Sequence, residues 1–331
     1  MGQARSATVK AAVLHALGET PRYEDFPDPQ PGPGEVVVKP RAVAVDNAIR
    51  VMVAGSHFAS RQFLSKLPGV VGFGGIGQLE DGRLVGFGGV RPPYGAMAER
   101  AVVPEGTYHL VPEGIDPEQA AAVPSSTMTA LVPLRWGPKL NLDETVLVNG
   151  ATGFAGRLAV QVAKLLGVKR VVGTGRDPAG LAGLANLGVD GVVDLGQPDS
   201  VVLDSLARES GSQGFGVILD YLWGRPTELI LLALSPKRLA PVQKDIRLVQ
   251  IGESAGPAVS LRADAIRTSG LQIQGATTAF PSEAVGEAIA QVWDWMKAGK
   301  LSAAIERVPL PNVARAWKRT DLHGKRVVLT I

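Results

Sequence analysis

Apolar residues in the first third of the chain come in short, often β-branched runs at 8–14, 35–45, 82–87, 98–103 and 108–111. Glycine or proline punctuates them, most densely in the stretch PDPQPGPG at 27–34. The pattern predicts a β-rich region with irregular connections. Past Pro124 the period changes. Strand-like runs at 145–151, 170–176, 191–195, 216–222, 246–252 and 271–277 alternate with helical stripes. Strands joined by crossover segments predict an α/β fold, a Rossmann-type doubly wound parallel sheet. From Phe280 the periodicity predicts one helix with Val285, Ile289, Val292 and Met296 on a single face, then a closing strand at 326–331. No internal repeat is visible.

A chain of 331 residues accommodates about two domains. With 45% hydrophobic and 20% charged residues it has an ordinary globular composition. The 40 glycines and 24 prolines are dispersed, so they imply many turns rather than a low-complexity tract. The net charge of +3 is not gathered into a basic stripe, which argues against a nucleic-acid partner. The absence of cysteine excludes disulfides, thiolate chemistry and cysteine-ligated metal centres. The longest apolar stretch, 217–234, is interrupted by Asp220, Arg225 and Glu228, so no membrane span is expected. Residues 11–17 contain His15 and read as a strand rather than a leader, which predicts a cytoplasmic protein.

The first run of the α/β region leads directly into Asn149-Gly150-Ala151-Thr152-Gly153-Phe154-Ala155-Gly156, followed by a helix with the stripe Ala159, Val162, Ala163 and Leu166. Gly167 stands where a helix C′ residue belongs. Strand, glycine turn and helix in this order form a dinucleotide-binding fingerprint. Gly153 would admit a pyrophosphate to the backbone, Gly156 would let helix and strand pack closely, and the helix N-terminus would supply N–H groups. The other reading is a tight turn alone. The next run ends Thr174-Gly175-Arg176-Asp177-Pro178. Asp177 and Pro178 fit the N-cap and first position of a helix. Gly175 leaves room, and Arg176 offers a fork for a 2′-phosphate, favouring NADPH over NADH, unless it is simply a solvated side chain. Ile251 and Gly252, at a later strand end, complete the expected cofactor contacts.

These segments, together with VKAAVLHALG, PGPGEVVVKPRAVAVDN, YGAMAERAVVP, AAAVPSSTMTALVPL and the closing GKRVVLTI, resemble the medium-chain dehydrogenase/reductase superfamily, in its zinc-free quinone oxidoreductase branch. The resemblance runs from Lys10 to the C-terminus. It implies a GroES-like catalytic domain from 1–124 plus 279–331, a Rossmann domain from 125–278 between its two parts, and an active site in the cleft. It also places Thr129, of the Thr129-Ala130 pair, near a nicotinamide, and implies a homodimer. The chain departs from its zinc-dependent relatives, with Asp46 where they hold a cysteine and Gly72-Phe73-Gly74 where they hold Gly-His-Glu. Its four histidines lack ligand spacing, and the order Asp46-Asn47 differs from the Asn-then-Asp pattern of the zinc-free branch.

Without a Lewis acid, quinones and α,β-unsaturated carbonyls are the accessible hydride acceptors, because the charge they develop is delocalised. His57 stands where related enoyl reductases carry a tyrosine proposed as acid, and is either a proton donor or a loop histidine. Asp46 and Asn47 either orient nicotinamide or substrate, or, for Asp46, cap a turn. Tyr94 lines the cleft or packs; Trp223 and Phe280 are pocket-wall candidates, and Trp293, Trp295 and Trp317 are core or interface aromatics. The leading reading is a metal-free NADPH-dependent quinone or enone oxidoreductase. The alternatives are a nucleotide-binding sensor and a zinc-free NADP-linked alcohol or carbonyl dehydrogenase.

Overall fold

A computed structural model describes residues 7–137, 140–235, 245–267, 269–276 and 282–331. The chain divides into two compact units, Met1–Val123 with Ala303–Ile331, and Pro124–Ser302. The helix Pro117–Trp136 carries the first of these divisions. The second falls after the helix Ser282–Lys297, so this helix lies in the α/β unit, whereas the resemblance implies an end of that domain at 278.

In the first unit, β1 (Thr8–Leu14) is flanked by β2 (Arg22–Pro27) and β4 (Gly69–Val70) in a small antiparallel sheet. The second sheet centres on β3 (Glu35–Val45), joined by β5 (Gly74–Gln78), β6 (Leu84–Gly88), β7 (Ala101–Pro104), β8 (Tyr108–Leu110), β15 (Ile305–Pro309) and β16 (Arg326–Thr330). β3 pairs β7 through residues 35–38 and β16 through residues 42–45, and its register against β5 slips at Pro40. Proline has no N–H for the ladder, so the irregularity falls there. Val38, Val43, Val45, Val85, Phe87, Val327 and Leu329 close the core.

The second unit is a six-stranded parallel sheet: β9 (Thr145–Asn149), β10 (Arg170–Gly175), β11 (Gly191–Asp194), β12 (Phe215–Asp220), β13 (Ile246–Gln250) and β14 (Leu271–Gly275). Its order is β11-β10-β9-β12-β13-β14, the doubly wound arrangement, which reverses direction between β9 and β12. β9 and β12 are buried along their whole length, as their unbroken apolar runs require when helices cover both faces. The expected strand end at 277 lies outside the described residues, as does Phe280. In the helix Ser282–Lys297 the buried face is Ala284, Ala288, Val292 and Trp295, while Val285 is 45% exposed. That face is rotated from the predicted one, because the buried positions 284 and 288 are alanines, whose weak hydropathy gives little periodic signal.

Leu147, fully buried among Val172, Ile218 and Leu248, is a test of this core. Leu147→Ala should lower stability by about 2–5 kcal/mol in urea unfolding.

Candidate functional site

Three neighbouring strands deliver polar residues to one end of the parallel sheet. Asn149 and Asp220, the last residues of β9 and β12, are register partners at the point where the strand order reverses. Both are fully buried, as are Thr174 and Thr227. Asn149 Nδ2 donates to Asp220 Oδ1 at 2.8 Å, and Thr174 Oγ1 donates to Asn149 Oδ1 at 2.7 Å. Thr227 Oγ1 donates to Asp220 Oδ2 at 2.6 Å. Asp220 Oδ1 also accepts from the backbone N–H groups of Leu222 and Trp223, each at 3.0 Å. The last of these holds Trp223 at φ 56, a conformation unfavourable for a bulky side chain. Neither Asp220 nor Thr227 carries any motif that sequence reading could find.

The network ends on the glycine turn. Thr174 Oγ1 accepts from the Gly150 N–H at 2.9 Å, fixing a residue at φ +92. Ala151 is buried, and Gly153 begins the helix Phe154–Leu165 without a side-chain cap. A Cβ at Gly156 would stand 2.2 Å from the Gly150 carbonyl oxygen and 2.8 Å from Ala151 Cα. Close helix–strand packing therefore requires Gly156. At Gly153 the nearest atom to such a Cβ would be the Gly150 oxygen at 3.4 Å, an ordinary contact. The protein's own packing gives no reason for glycine at 153. The groups around this helix start fit a diphosphate: backbone amides, no side-chain cap, and a glycine that leaves space on the outer side. Gly167, at φ +89, follows the helix as the C′ residue expected.

At the end of β10, Gly175 lies against Thr152, whose Cγ2 would be 2.3 Å from a Cβ there. Arg176 is exposed. Asp177 caps the helix Pro178–Ala182 through Oδ2, which accepts from the Gly180 N–H at 3.0 Å, with Pro178 at the first position as predicted. Ile251 and Gly252 donate their N–H groups to the Asp220 carbonyl at 2.8 and 3.1 Å. Thr129 Oγ1 donates to the Ser126 carbonyl at 2.7 Å and meets the Tyr221 hydroxyl at 3.1 Å. Since the threonine proton is committed to Ser126, the phenol donates to Thr129. Burial pushes the Tyr221 phenol well above its ordinary value, with the Thr129 hydrogen bond acting the other way. Asn149 and Thr174, expected as cofactor contacts, have side chains wholly taken up by the buried network. They shape the turn that the backbone of Gly150, Ala151 and Thr152 forms.

The residues singled out in the first unit are placed as follows. His57 is half-buried, its ring stacked on Phe58 with centroids 4.4 Å apart. Its Nδ1 accepts from the Ala59 N–H at 3.1 Å, which in the neutral ring leaves the proton on Nε2. Asp46 is the N-cap of the helix Asn47–Val53, its Oδ1 accepting from the Ile49 N–H at 2.7 Å. Asn47 is exposed in the first turn of that helix. Tyr94 packs edge-on against Phe26. Among the described residues no group of three or more His, Asp or Glu side chains is disposed to hold a metal.

Asp220→Ala should orphan several buried donors at about 1–3 kcal/mol each, so urea unfolding should show a loss on the order of 3 kcal/mol or more. Tyr221 supplies a pH test. Its phenol keeps its proton in the folded chain above the ordinary value of about 10, where the unfolded chain loses it. The stabilisation from this difference is complete below that pH and falls away as the pH rises beyond it. The phenolate absorbance that the folded chain gains as the pH is raised to about 11 should be the same in Tyr221→Phe as in the wild type.

A family model described as zinc-binding dehydrogenase matches residues 187–326. Within that stretch His323 is the only histidine. The quinone oxidoreductase of Pseudomonas aeruginosa is 34% identical over 170 residues, 48% of this chain and 50% of that protein. This chain thus spans half the length of that relative. A protein of Emericella nidulans named "Probable NADPH-dependent quinone reductase tdiC" is 24% identical across 93% of this chain and 96% of its own. The quinone oxidoreductase of Thermus thermophilus, solved also in complex with NADPH, superposes with a TM-score of 0.77 at 27% identity, covering 97% of this chain and 100% of that one. With the doubly wound sheet, the glycine turn and these matches together, the chain is similar to the medium-chain dehydrogenase/reductase superfamily, with its likeness on the quinone oxidoreductase branch.

Proposed function

We propose that the chain is an NADPH-dependent oxidoreductase acting on quinones or electron-poor alkenes without a metal ion. The observation that carries this reading is the contrast between Gly156, which packing requires, and Gly153, which it does not. A glycine that the protein does not need is accounted for by a diphosphate against the backbone at 153–155. The exposed Arg176, next to Gly175 at the end of β10, supplies the fork for a 2′-phosphate. The names of the Thermus thermophilus and Emericella nidulans proteins support the same cofactor. When bound, that cofactor supplies the hydride.

The chain's own residues do the positioning. Gly150, held by Thr174, sets the direction in which the turn opens. Thr129, held between Ser126 and Tyr221, presents a fixed hydroxyl where the superfamily resemblance puts the nicotinamide. The enolate or phenolate formed on the acceptor needs a hydrogen-bond donor, and we assign that role to Nε2–H of His57, whose Nδ1 is engaged. Asp46, committed to the Asn47–Val53 helix, acts through the backbone it fixes, and Asn47 is its neighbour on that helix. Metal independence is supported by the lack of cysteine and by the scattered histidines: His15 pairs with Glu24, and His109 lies exposed on β8. Exposed Ile273 on β14, which ends the sheet, supports pairing with a second copy there.

The deciding experiment is NADPH and NADH binding by calorimetry, with turnover on a panel of quinones and enones before and after chelation. Tight NADPH binding with chelator-resistant turnover is expected; binding of neither nucleotide overturns the reading. NADPH binding without turnover on any acceptor favours a sensor. Gly153→Val should keep the melting temperature within a few degrees and lose NADPH affinity, whereas Gly156→Val should unfold the unit. His57→Phe should lower kcat while leaving NADPH affinity unchanged; an unchanged kcat returns His57 to a loop role.

A further inference from the structure

Arg157 stands one position beyond Gly156, in the first turn of the helix that follows the glycine turn. Its Nε donates to the Thr152 carbonyl at 3.3 Å and its Nη2 to the Gly180 carbonyl at 3.4 Å. The guanidinium therefore bridges the glycine turn and the helix Pro178–Ala182, directly beside the strand end that carries Arg176. Both bonds are long, and they use only part of the donor fork that a guanidinium carries. Among the described residues Arg157 forms no ion pair, although most of the chain's other partly buried arginines do. A half-buried cation attached only to neutral carbonyls is a site short of an anion.

The local sequence keeps room for this side chain. Helix Pro178–Ala182 and its cap contain Gly180 and Gly183, both poor helix formers beside alanine. A Cβ at Gly180 would stand 2.9 Å from Asp177 Oδ2 and 3.2 Å from Thr152 Cβ, and one at Gly183 would stand 3.4 Å from Arg157 Nη2. The helix thus offers a bare backbone face on which the guanidinium lies. The carboxylate in this neighbourhood, Asp177, turns Oδ2 to the Gly180 N–H.

We propose that Arg157 is a second cation, besides Arg176, for the phosphate on the adenosine ribose, so that discrimination between NADPH and NADH is shared by two arginines, one in the first turn of the helix and one at the strand end. This rests on the nucleotide reading above. Arg176 stands exposed at the strand end; Arg157 is positioned in advance by Thr152 and Gly180. A phosphate bound between them takes up the N–H groups of Arg157 that the two carbonyls leave over.

The test is a set of dissociation constants for NADPH, NADH, 2′,5′-ADP and 5′-AMP on the wild type, Arg157→Ala, Arg157→Lys, Arg157→Gln and Arg176→Ala. Arg157→Ala should weaken NADPH and 2′,5′-ADP by roughly tenfold or more, the loss of one charge-assisted contact, and NADH and 5′-AMP by less than about threefold. Arg157→Lys should recover part of the loss. Arg157→Gln keeps an amide donor for the Gly180 carbonyl, so it separates bracing from charge: it should fold like the wild type and still lose NADPH affinity. Equal losses for both dinucleotides, or unaltered NADPH affinity in Arg157→Gln, would overturn the assignment. If Arg176→Ala alone removes the NADPH preference, Arg157 is excluded while the cofactor reading stands. A wild type that binds NADPH no more tightly than NADH defeats both.

Discussion

One buried carboxylate sets the geometry on which the glycine-turn end of the parallel sheet depends. Asp220 has no solvent exposure, and its two oxygens accept hydrogen bonds from Asn149, Leu222, Trp223 and Thr227. A charge in such a place is tolerated only when its partners are complete. The partners come from β9, from the turn after β12 and from the helix Gly224–Leu234, so satisfying the carboxylate fixes those elements relative to one another. Through Asn149 and Thr174 the same chain of bonds reaches the Gly150 N–H and thereby the turn itself. The glycines of the turn are positioned by fully buried side chains of three neighbouring strands.

The strand order explains why such a network sits here. In a doubly wound sheet the connections from the two strands at the reversal point leave in opposite directions, and a crevice opens beyond their carboxyl ends. At that point the carbonyls of Asn149 and Asp220 accept backbone N–H groups from Tyr221, Ile251 and Gly252, while their buried side chains still need partners. Side chains fill that role, Asn149 toward Asp220 and Thr174 toward both Asn149 and Gly150. The strained Trp223 conformation follows from the same demand. Its N–H is drawn to Asp220 Oδ1, and the helix Gly224–Leu234 starts immediately after it.

The parallel sheet is legible in the sequence because buried strands read as continuous apolar runs bounded by glycine, and the centres of all six runs are observed strands. The glycine turn is legible for a related reason, as backbone proximity leaves only glycine as a choice. Strand β5 is not. Its residues are Gly74, Gly75, Ile76, Gly77 and Gln78, which offer no alternation of side chains, since the neighbouring strand crowds the backbone. Asp220 and Thr227 are invisible for a different reason. An aspartate after an apolar run reads as the end of a strand, and nothing local reveals that Asn149, distant in sequence, supplies its partner. Arg157 lies inside the segment that identifies the turn, yet only the approach of Gly180 and Gly183 gives it a purpose.

Position 46, where the resemblance puts a cysteine in zinc-dependent relatives, has a structural use in this chain. Here the residue precedes the helix Asn47–Val53, whose first N–H groups need an acceptor, and a carboxylate is among the best N-caps, worth about 1 kcal/mol over alanine. Arg326 is buried close by, its guanidinium held below its ordinary value by burial, with the Asp46 charge acting in the opposite sense and Arg50 adding to the depression. Arg50, one turn along the same helix, donates to the carbonyls of Ala316 and Trp317 and packs over the Trp317 ring. Two arginines in so confined a space need a negative charge nearby. Asp46 supplies it while capping the helix, so a thiol at this position would lose both functions.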